Sequence, residues 1–242
     1  MTAISATGAP AATPPARRPI FDWLFGLAVL GMVGAFARIF LFTPADLRQG
    51  LAQKIYYIHI SSAITAYLGF GIVFVTSVIY LWLRDERTDR LAEAAAEVGL
   101  LFMTIVLTTG PIWGKTTWGT WWTWDARLTL SLFLWFVYAG FLTLRGAVEE
   151  PAMRARYSAV LGVLGALLIP FIHLSVYLFR TLHPMPVILQ PARPGLPPVM
   201  LKTFLLTYLA LTVLFLALLR ARYRYAVERD ALHALEQGEG RA

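Results

Sequence analysis

The sequence predicts an all-α integral membrane protein with six transmembrane helices, both termini in the cytoplasm and a tryptophan-rich loop on the outer face. Three observations favour this fold class. Of the 242 residues, 58% are hydrophobic and only 14% are charged, and the mean hydropathy is +0.63. The apolar residues fall into six stretches long enough to cross a bilayer, which takes about 20 residues per helix. Basic residues flank those stretches, which is typical of a polytopic membrane protein rather than a soluble domain.

The first 19 residues are rich in Ala, Pro and Thr, and we expect residues 1–19 to form a disordered cytoplasmic tail. Arg17 and Arg18 then precede the first apolar stretch, residues 20–42. That stretch is longer than the apolar core of a signal peptide, and no small-residue cleavage site follows it. It therefore predicts a first transmembrane helix that is not cleaved.

Five further stretches complete a predicted membrane domain over residues 20–220. They cover residues 55–83, 94–113, 128–147, 158–182 and 200–219. Pro170 lies inside the fifth stretch, where a membrane helix tolerates proline as a kink. The remaining residues, 221–242, predict a charged cytoplasmic tail in which His233 is solvated.

The distribution of basic residues sets the predicted orientation. With both termini in the cytoplasm, 13 of the 21 Lys and Arg residues fall on the inner side and 8 on the outer side. The outer face then carries residues 43–54, 114–127 and 183–199, and the inner loops are 84–93 and 148–157. Because these flanks account for the net charge of +7, we infer no nucleic-acid partner.

What the sequence lacks excludes several function classes. It has no cysteine, which excludes structural disulfides, cysteine-ligated zinc, iron–sulfur clusters and thioether attachment of haem. The chain is therefore not itself a c-type cytochrome. It also has no nucleotide-binding loop motif, so any energy input must come from a partner.

Five of the eight tryptophans lie within twelve residues, just before Asp125. They are Trp113, Trp118, Trp121, Trp122 and Trp124. One interpretation is an aromatic belt at the membrane surface. A belt needs only one or two such residues per helix end, and it does not need Gly114 and Gly119, which permit tight turns. The other interpretation is a wall of indole faces and N–H groups around a flat ligand.

His59 and His183 are predicted at the same membrane depth as the tryptophans. His59 opens the second span, which starts on the outer side, and His183 closes the fifth, which ends there. Ser62, Ala63 and Ala66 follow His59 on one helical face, and small residues let a planar ligand or another helix approach. Since imidazole is a common axial ligand of haem iron, the pair is a candidate ligand set. The alternative is two interfacial polar residues with hydrogen-bond partners.

His173 is predicted deeper in the membrane than the other histidines. It precedes His183 by ten residues, which is about 15 Å if the helix continues between them. The two are therefore not expected to share one iron. We expect His173 to bond a neighbouring helix.

Asp125 and Arg127 directly follow the indoles. Asp125 is placed to cap the fourth helix, a role that is compatible with positioning the loop. Arg127 is either an interface anchor or a bidentate partner for a ligand carboxylate such as a haem propionate. Four other basic residues of the outer face are weaker candidates for that contact: Arg48, Lys54, Lys115 and Arg180.

Residues 118–129, W-G-T-W-W-T-W-D-A-R-L-T, resemble the WWD signature W-G-x-x-W-x-W-D-x-R-L-T of haem-handling proteins in cytochrome c maturation. Every fixed position of the signature is present. Within this superfamily the chain is most similar to the CcmC family (haem exporter protein C) over nearly all of residues 20–220. The similarity also covers Tyr57-Ile58-His59, Thr109-Gly110, Pro170-Phe171-Ile172-His173 and Thr181-Leu182-His183.

The resemblance implies that a WWD loop, residues 113–129, supports haem b on the outer (periplasmic) face of the bacterial inner membrane. His59 and His183 would be the axial ligands of the iron, and the haem would be held in transit without a covalent bond. The five indoles, Asp125 and Arg127 would hold the ring and its propionates. The implied partners are the haem chaperone CcmE, the ABC transporter subunits CcmA and CcmB, and CcmD. The implied function is haem presentation rather than enzymatic catalysis, and any ATPase activity would reside in a partner.

Three other functions stay open on the residues alone. A b-type electron-transfer subunit normally has paired histidines at two membrane depths, and His173 has no evident partner. A membrane transferase with Asp125 as its base needs a metal or an activating group that the sequence does not supply. A scaffold subunit predicts that changes in the tryptophan loop impair assembly and leave haem content unchanged.

Overall fold

The computed structural model describes residues 22–190 and 195–239, with side chains as far as residue 236. This part of the chain forms seven α-helices: α1 Trp23–Ala37, α2 Ile55–Leu83, α3 Glu86–Trp118, α4 Ala126–Ala147, α5 Pro151–Ala166, α6 Leu168–Leu178 and α7 Pro198–Glu239. A π-helical turn, Arg38–Phe42, extends α1, and a 3-10 turn, Leu51–Lys54, leads into α2. The predicted N-terminal tail, residues 1–19, lies outside the described residues.

Six segments are long and apolar enough to cross a membrane, and α5 and α6 together make one of them. The all-α class and the six predicted spans are therefore confirmed. Large apolar side chains such as Leu30, Leu164 and Leu209 are exposed on the outward faces of these helices. An apolar surface of this extent is stable against lipid but not against water, so the chain is a multi-pass membrane protein.

The bundle has two ends of different chemistry. The tryptophan end holds the start of α2, the end of α3, the start of α4 and the described residues 179–190 after α6. The charged end holds the start of α3, the end of α4 and the C-terminal part of α7. Two contacts between residues that flank the first span and α7 mark these ends. Thr43 and Thr203 share a 2.8 Å hydrogen bond at the first end, and Asp22 pairs with Arg220 at 3.5 Å at the second. Which end faces the cytoplasm stays a prediction.

α2 and α3 form the most extensive helix pair of the bundle. They approach closely at two glycines, because a Cβ atom on Gly69 would lie only 3.0 Å from the Cα atom of Gly99. Next to this crossing, the Phe70 ring stacks on Tyr138 of α4 with ring centres 3.8 Å apart. The tight crossing fixes the start of α2 against the end of α3, where the functional site lies.

The third span is longer at both ends than the predicted 94–113. Asp85 caps α3 by accepting a hydrogen bond from the Arg87 N–H, so the helix begins eight residues earlier than predicted. It ends at Gly119, whose φ of +77° is the left-handed conformation that glycine adopts at helix ends. Placing Trp113 and Trp118 in a loop was therefore wrong, because both belong to α3.

The fifth predicted span, 158–182, corresponds to one membrane-spanning segment, Pro151–Leu178, in which Leu167 alone separates α5 from α6 and the predicted irregularity at Pro170 is present. Proline lacks an N–H and its ring clashes with the carbonyl four residues earlier. For Pro170 that carbonyl belongs to Ala166, the last residue of α5, and Pro170 lies in the first turn of α6. α6 ends at Leu178, four residues before the predicted end of the span, so His183 does not directly close a helix but lies in the non-helical segment that follows.

α7 extends beyond its predicted span of 200–219 and reaches Glu239. Its 42 residues correspond to about 63 Å, roughly twice the thickness of the hydrocarbon core. Ion pairs fix its C-terminal part to α3, with Arg222 donating to Glu97 at 2.7 Å and Arg229 donating to both oxygens of Glu93. Most of the charged segment predicted as a tail is therefore helical.

Glu93 is also the centre of the charged end. Arg145 of α4 donates to both oxygens of Asp89, at 2.6 and 2.9 Å, and to Glu93 at 2.9 Å. Both Glu93 and Arg145 are buried. Since a buried charge is stable only when it is paired and hydrogen-bonded, this network fixes α3, α4 and α7 to one another.

At the tryptophan end, the side chain of Lys54 fixes parts of the chain to each other, as the ion pairs do at the charged end. Its buried ammonium group donates to the carbonyl oxygens of Ile39, at 2.6 Å, and Thr43, at 2.9 Å, and Phe40 is at 3.5 Å. These carbonyls lie at the end of the π-helical turn that extends α1. The last carbonyls of a helix have no backbone N–H partner within that helix. Lys54 therefore joins the end of the first span to the start of the second and is not available to a ligand.

We expect Lys54→Met to lower the free energy of unfolding by about 2 kcal/mol, because it leaves buried carbonyls without a donor while keeping most of the side-chain volume. The measurement is a denaturant titration in detergent micelles, followed by tryptophan fluorescence. Lys202→Met is the matched control, since Lys202 is an exposed lysine near the same end. Equal stability of the two variants would contradict this role of Lys54.

Candidate functional site

A cavity opens at the tryptophan end between α2, α3, α4 and the segment that follows α6. It encloses about 870 Å³ of empty space, part of which is open to solvent. Six predicted site residues line it: His59, Trp113, Trp118, Trp122, Arg127 and His183. Residues separated by up to 124 positions in the sequence thus meet at one site.

His59 lies in the first turns of α2 and is only 7% exposed. Its Nδ1 is 2.9 Å from the Thr109 hydroxyl of α3. The Trp113 ring meets the imidazole edge-on, with centres 5.7 Å apart. Gly110 is required beside it, because a Cβ atom at that position would lie 3.2 Å from His59 Cε1. The ring is therefore held between α2 and α3 in one orientation.

His183 reaches the same cavity from the non-helical segment after α6. Its Nδ1 is 2.9 Å from the Pro184 carbonyl, and its backbone N–H donates to the Thr181 hydroxyl at 3.0 Å. Trp118 meets the imidazole edge-on at 6.2 Å. Burial lowers the pKa of His183 to about 4, and the nearby positive charge of Arg127 acts in the same direction. This imidazole is therefore neutral at physiological pH.

Asp125 joins the separate parts of the site. Its Oδ1 accepts from the Leu128 N–H at 3.0 Å and caps α4. Its Oδ2 accepts from the Thr181 hydroxyl at 2.7 Å and from the Thr123 hydroxyl at 3.3 Å. The predicted capping role is confirmed, and the same carboxylate also fixes the segment that carries His183.

The five tryptophans divide into two groups. Trp113, Trp118 and Trp122 line the cavity, whereas Trp121 and Trp124 do not and are 59% and 76% exposed. The sequence predicted a ligand contact for all five, and the structure does not bring Trp121 and Trp124 into the cavity wall. They lie in the segment between α3 and α4, on the exposed side of the site.

Three polar contacts fix the inner indoles and the segment after them. The Trp113 N–H donates to the Gln49 side chain at 2.8 Å, and Gln49 also lines the cavity. Lys115 donates to the Gly119 carbonyl at 2.9 Å where α3 ends, and the Thr120 hydroxyl donates to the Trp122 carbonyl at 3.0 Å. The wall of the cavity is thus held by contacts within the chain.

Two buried donors at the cavity have no hydrogen-bond partner among the described residues. They are the indole N–H of Trp122 and one terminal nitrogen of the Arg127 guanidinium. Burying such groups without a partner costs free energy, and each such case in a native fold needs an explanation. A ligand with acidic oxygens would accept from both.

The structure does not place the weaker candidates at the site. Arg48, Lys115 and Arg180 are exposed and do not line the cavity, and Lys54 is committed to backbone carbonyls. His173 of α6 contacts the Tyr177 ring at 6.0 Å, and we find no hydrogen bond from it to a described residue of a neighbouring helix. The predicted helix-bonding role of His173 was therefore wrong.

Several residues that line the cavity or hold its lining residues in place were not predicted from the sequence. Tyr67 lines the deeper wall two turns beyond His59 on the same helical face, so helical spacing was a signal for it. Gln49, Thr109 and Thr181 act through contacts between residues distant in the sequence. Spacing along one helix gives no signal for such contacts.

A sequence model of the family described as "Heme exporter protein C" matches residues 3–237 of the chain. Curated relatives carry the same description. The protein of Bradyrhizobium diazoefficiens is 36% identical over 193 residues, which cover 80% of this chain and 73% of the relative. That of Haemophilus influenzae is 35% identical over 88% of this chain and 85% of its own length. That of Paracoccus denitrificans is 36% identical over 92% of each chain.

We expect Thr181→Val to loosen the His183 segment, because it removes the hydroxyl that donates to Asp125 and accepts from the His183 N–H. A hydrogen bond to a charged group contributes about 1.5 kcal/mol or more, so amide exchange at His183 should accelerate by about tenfold. Hydrogen–deuterium exchange of the full chain in lipid nanodiscs measures this.

Thr143→Val is the matched control for Thr181→Val, since the Thr143 hydroxyl bonds only within its own helix. Unchanged exchange at His183 in Thr181→Val would show that the segment is held by other contacts.

Proposed function

Because the chain belongs to the Heme exporter protein C family, we propose that it binds haem at the tryptophan end and presents it to a partner in cytochrome c maturation. The observation that carries the proposal is the pair His59 and His183. These two imidazoles come from separate parts of the chain and line one cavity. Paired imidazoles are a frequent ligand set for haem iron.

The other residues of the cavity fit the remainder of a haem molecule. Trp113, Trp118 and Trp122 offer apolar faces to a flat aromatic ring. The unpartnered nitrogens of Trp122 and Arg127 are donors suited to the propionates, and Arg127 adds a positive charge. The group expected is haem b, bound in transit without a covalent bond, because the chain has no cysteine.

In this proposal His59 and His183 would hold the haem through its iron, to which each imidazole would offer a nitrogen lone pair. The inner indoles exclude water from the ring, and Arg127 orients it through its carboxylates. Asp125 acts indirectly, because its carboxylate already accepts three hydrogen bonds from the chain. Trp121 and Trp124 lie exposed beside the cavity, where they are available to a receiving partner.

The partners in this proposal are the haem chaperone CcmE, the ABC transporter subunits CcmA and CcmB, and CcmD. The chain acts as a binding and delivery subunit, and the ATPase activity resides in the transporter. We place it in the bacterial inner membrane with both termini in the cytoplasm. The arginines of the charged end support that orientation, because basic residues are enriched on the cytoplasmic side.

A b-type electron-transfer subunit is the less favoured alternative. It requires histidine pairs at two membrane depths. In the described part of the chain, His173 is half-buried beside Tyr177, and His233 lies exposed on α7 at the charged end. Neither has a histidine partner that lines the same cavity, so the arrangement favours a single site.

We expect the double variant His59→Ala, His183→Ala to lose the haem absorbance of the purified full-length chain, and each single variant to bind at least tenfold more weakly. The absorbance titration with haemin in lipid nanodiscs measures both. His233→Ala is the control, because this histidine lies at the opposite end. A double variant that keeps the wild-type spectrum and affinity would contradict the proposed function.

The lowered pKa of His183 predicts how binding depends on pH. Its neutral form is the ligand, and with a folded pKa of about 4 instead of 6.5 it stays neutral as the pH falls through 6. We therefore expect haem affinity to be nearly constant between about pH 7.5 and 5.5, with protonation of His183 competing only near pH 4.

Arg127→Gln removes a charge that lowers the pKa of His183, so the loss of haem affinity should begin at higher pH in this variant. Titrations of haem binding at several pH values measure the shift. A wild-type affinity that falls tenfold per pH unit from about pH 6.5 downward would show that His183 titrates as an ordinary histidine.

A further inference from the structure

The Thr109 hydroxyl lies between a backbone carbonyl of its own helix and the imidazole of His59. Its oxygen is 2.7 Å from the Ile105 carbonyl oxygen and 2.9 Å from His59 Nδ1. A hydroxyl has one hydrogen to donate and lone pairs to accept. Because a carbonyl oxygen cannot donate, two oxygens at 2.7 Å need the threonine hydrogen between them. The hydroxyl therefore donates to Ile105 and accepts from His59.

This assignment determines which nitrogen of His59 carries the proton. If the Thr109 hydroxyl accepts, then Nδ1 must be the donor, and in a neutral imidazole Nε2 is then the nitrogen with a free lone pair. Nε2 has no hydrogen bond to any described residue. His59 is 7% exposed, so bulk water does not readily replace Thr109 as the partner of Nδ1.

His183 reaches the same tautomer by a different contact. Its Nδ1 is 2.9 Å from the Pro184 carbonyl, which can only accept, so Nδ1 carries the proton here as well. Nε2 of this ring is likewise without a hydrogen bond to the described part of the chain. Two unrelated hydrogen bonds thus prepare both histidines of one cavity to ligate through Nε2.

We propose that Thr109 is a positioning residue that fixes His59 as the Nδ1–H tautomer and keeps its Nε2 lone pair available to the haem iron. This inference rests on the proposed function. Hydrogen-bond partners of a ligating histidine orient the ring and raise its basicity, and their loss costs about 10–100-fold in metal affinity. Thr109 therefore contributes to haem binding without touching the haem.

The haem-free protein gives the first test. Nitrogen-15 magnetic resonance of labelled histidine distinguishes the two neutral tautomers of His59 in the full chain in lipid. We expect the Nδ1–H tautomer in the wild type and in Thr109→Ser, and a mixture of tautomers in Thr109→Val. A predominant Nε2–H tautomer in the wild type would overturn the inference.

The second test is haem binding by the same variants. Thr109→Val should bind haemin about 10–100-fold more weakly and change the paramagnetic-resonance spectrum of the ferric haem, and Thr109→Ser should restore both. Thr108→Val is the matched control, since the Thr108 hydroxyl bonds only to Thr104 of its own helix. Wild-type affinity and spectrum in Thr109→Val would overturn the role of Thr109.

The results also separate the inference from the proposed function. If His59→Ala loses haem and Thr109→Val does not, the positioning role fails and the haem site stands. If the double histidine variant still binds haem as the wild type does, the proposed function itself fails. The tautomer measurement needs no haem, so it reports on Thr109 in either case.

Discussion

The carboxylate of Asp125 is the constraint on which the tryptophan end depends. One oxygen caps α4, and the other accepts from Thr123 and Thr181, in the segments that carry the exposed tryptophans and His183. A carboxylate at a helix N-terminus is stabilised both by the free N–H groups and by the helix dipole. α4 is itself fixed in the bundle. Through its hydrogen bonds, Asp125 therefore fixes two non-helical segments relative to α4.

A second constraint positions the other half of the site. The close crossing at Gly69 and Gly99 sets the alignment of α2 along α3, and His59 then lies beside Thr109 and Gly110. Lys54 fixes the start of α2 from the side of the first span. The buried ion pairs of Arg145 and Glu93 fix the opposite end of α3. The floor of the cavity is therefore held by packing and buried charge, independently of the segment that carries His183.

Apolar length and flanking charge were sufficient to predict the six spans, because both follow from the cost of placing polar groups in a bilayer. The same reasoning brought His59 and His183 to one level, since each lies at the end of a predicted span. It anticipated the irregularity at Pro170 but not that α6 ends at Leu178, four residues before the predicted end of the span. Thr109, Thr181 and Gln49 were not found, because their roles depend on contacts between distant segments. The helical position of Trp113 and Trp118 depends on where Gly119 ends α3, and the tryptophan-rich pattern by itself does not determine that.

His59 is confined by more contacts than His183. In the proposed function, this difference suits a site that must release the haem it binds. His59 is buried between two tightly packed helices, with its ring confined by Thr109, Gly110 and Trp113. His183 is half-buried in a non-helical segment, held by the Thr181 hydroxyl and by the carbonyl of its own neighbour. In the proposed function, a displacement of the His183 segment would remove one axial ligand and uncover one face of the haem, while the helix pair behind His59 stays intact. Under that proposal, release would require breaking a few local hydrogen bonds around Asp125 and Thr181 rather than reopening the core of the bundle.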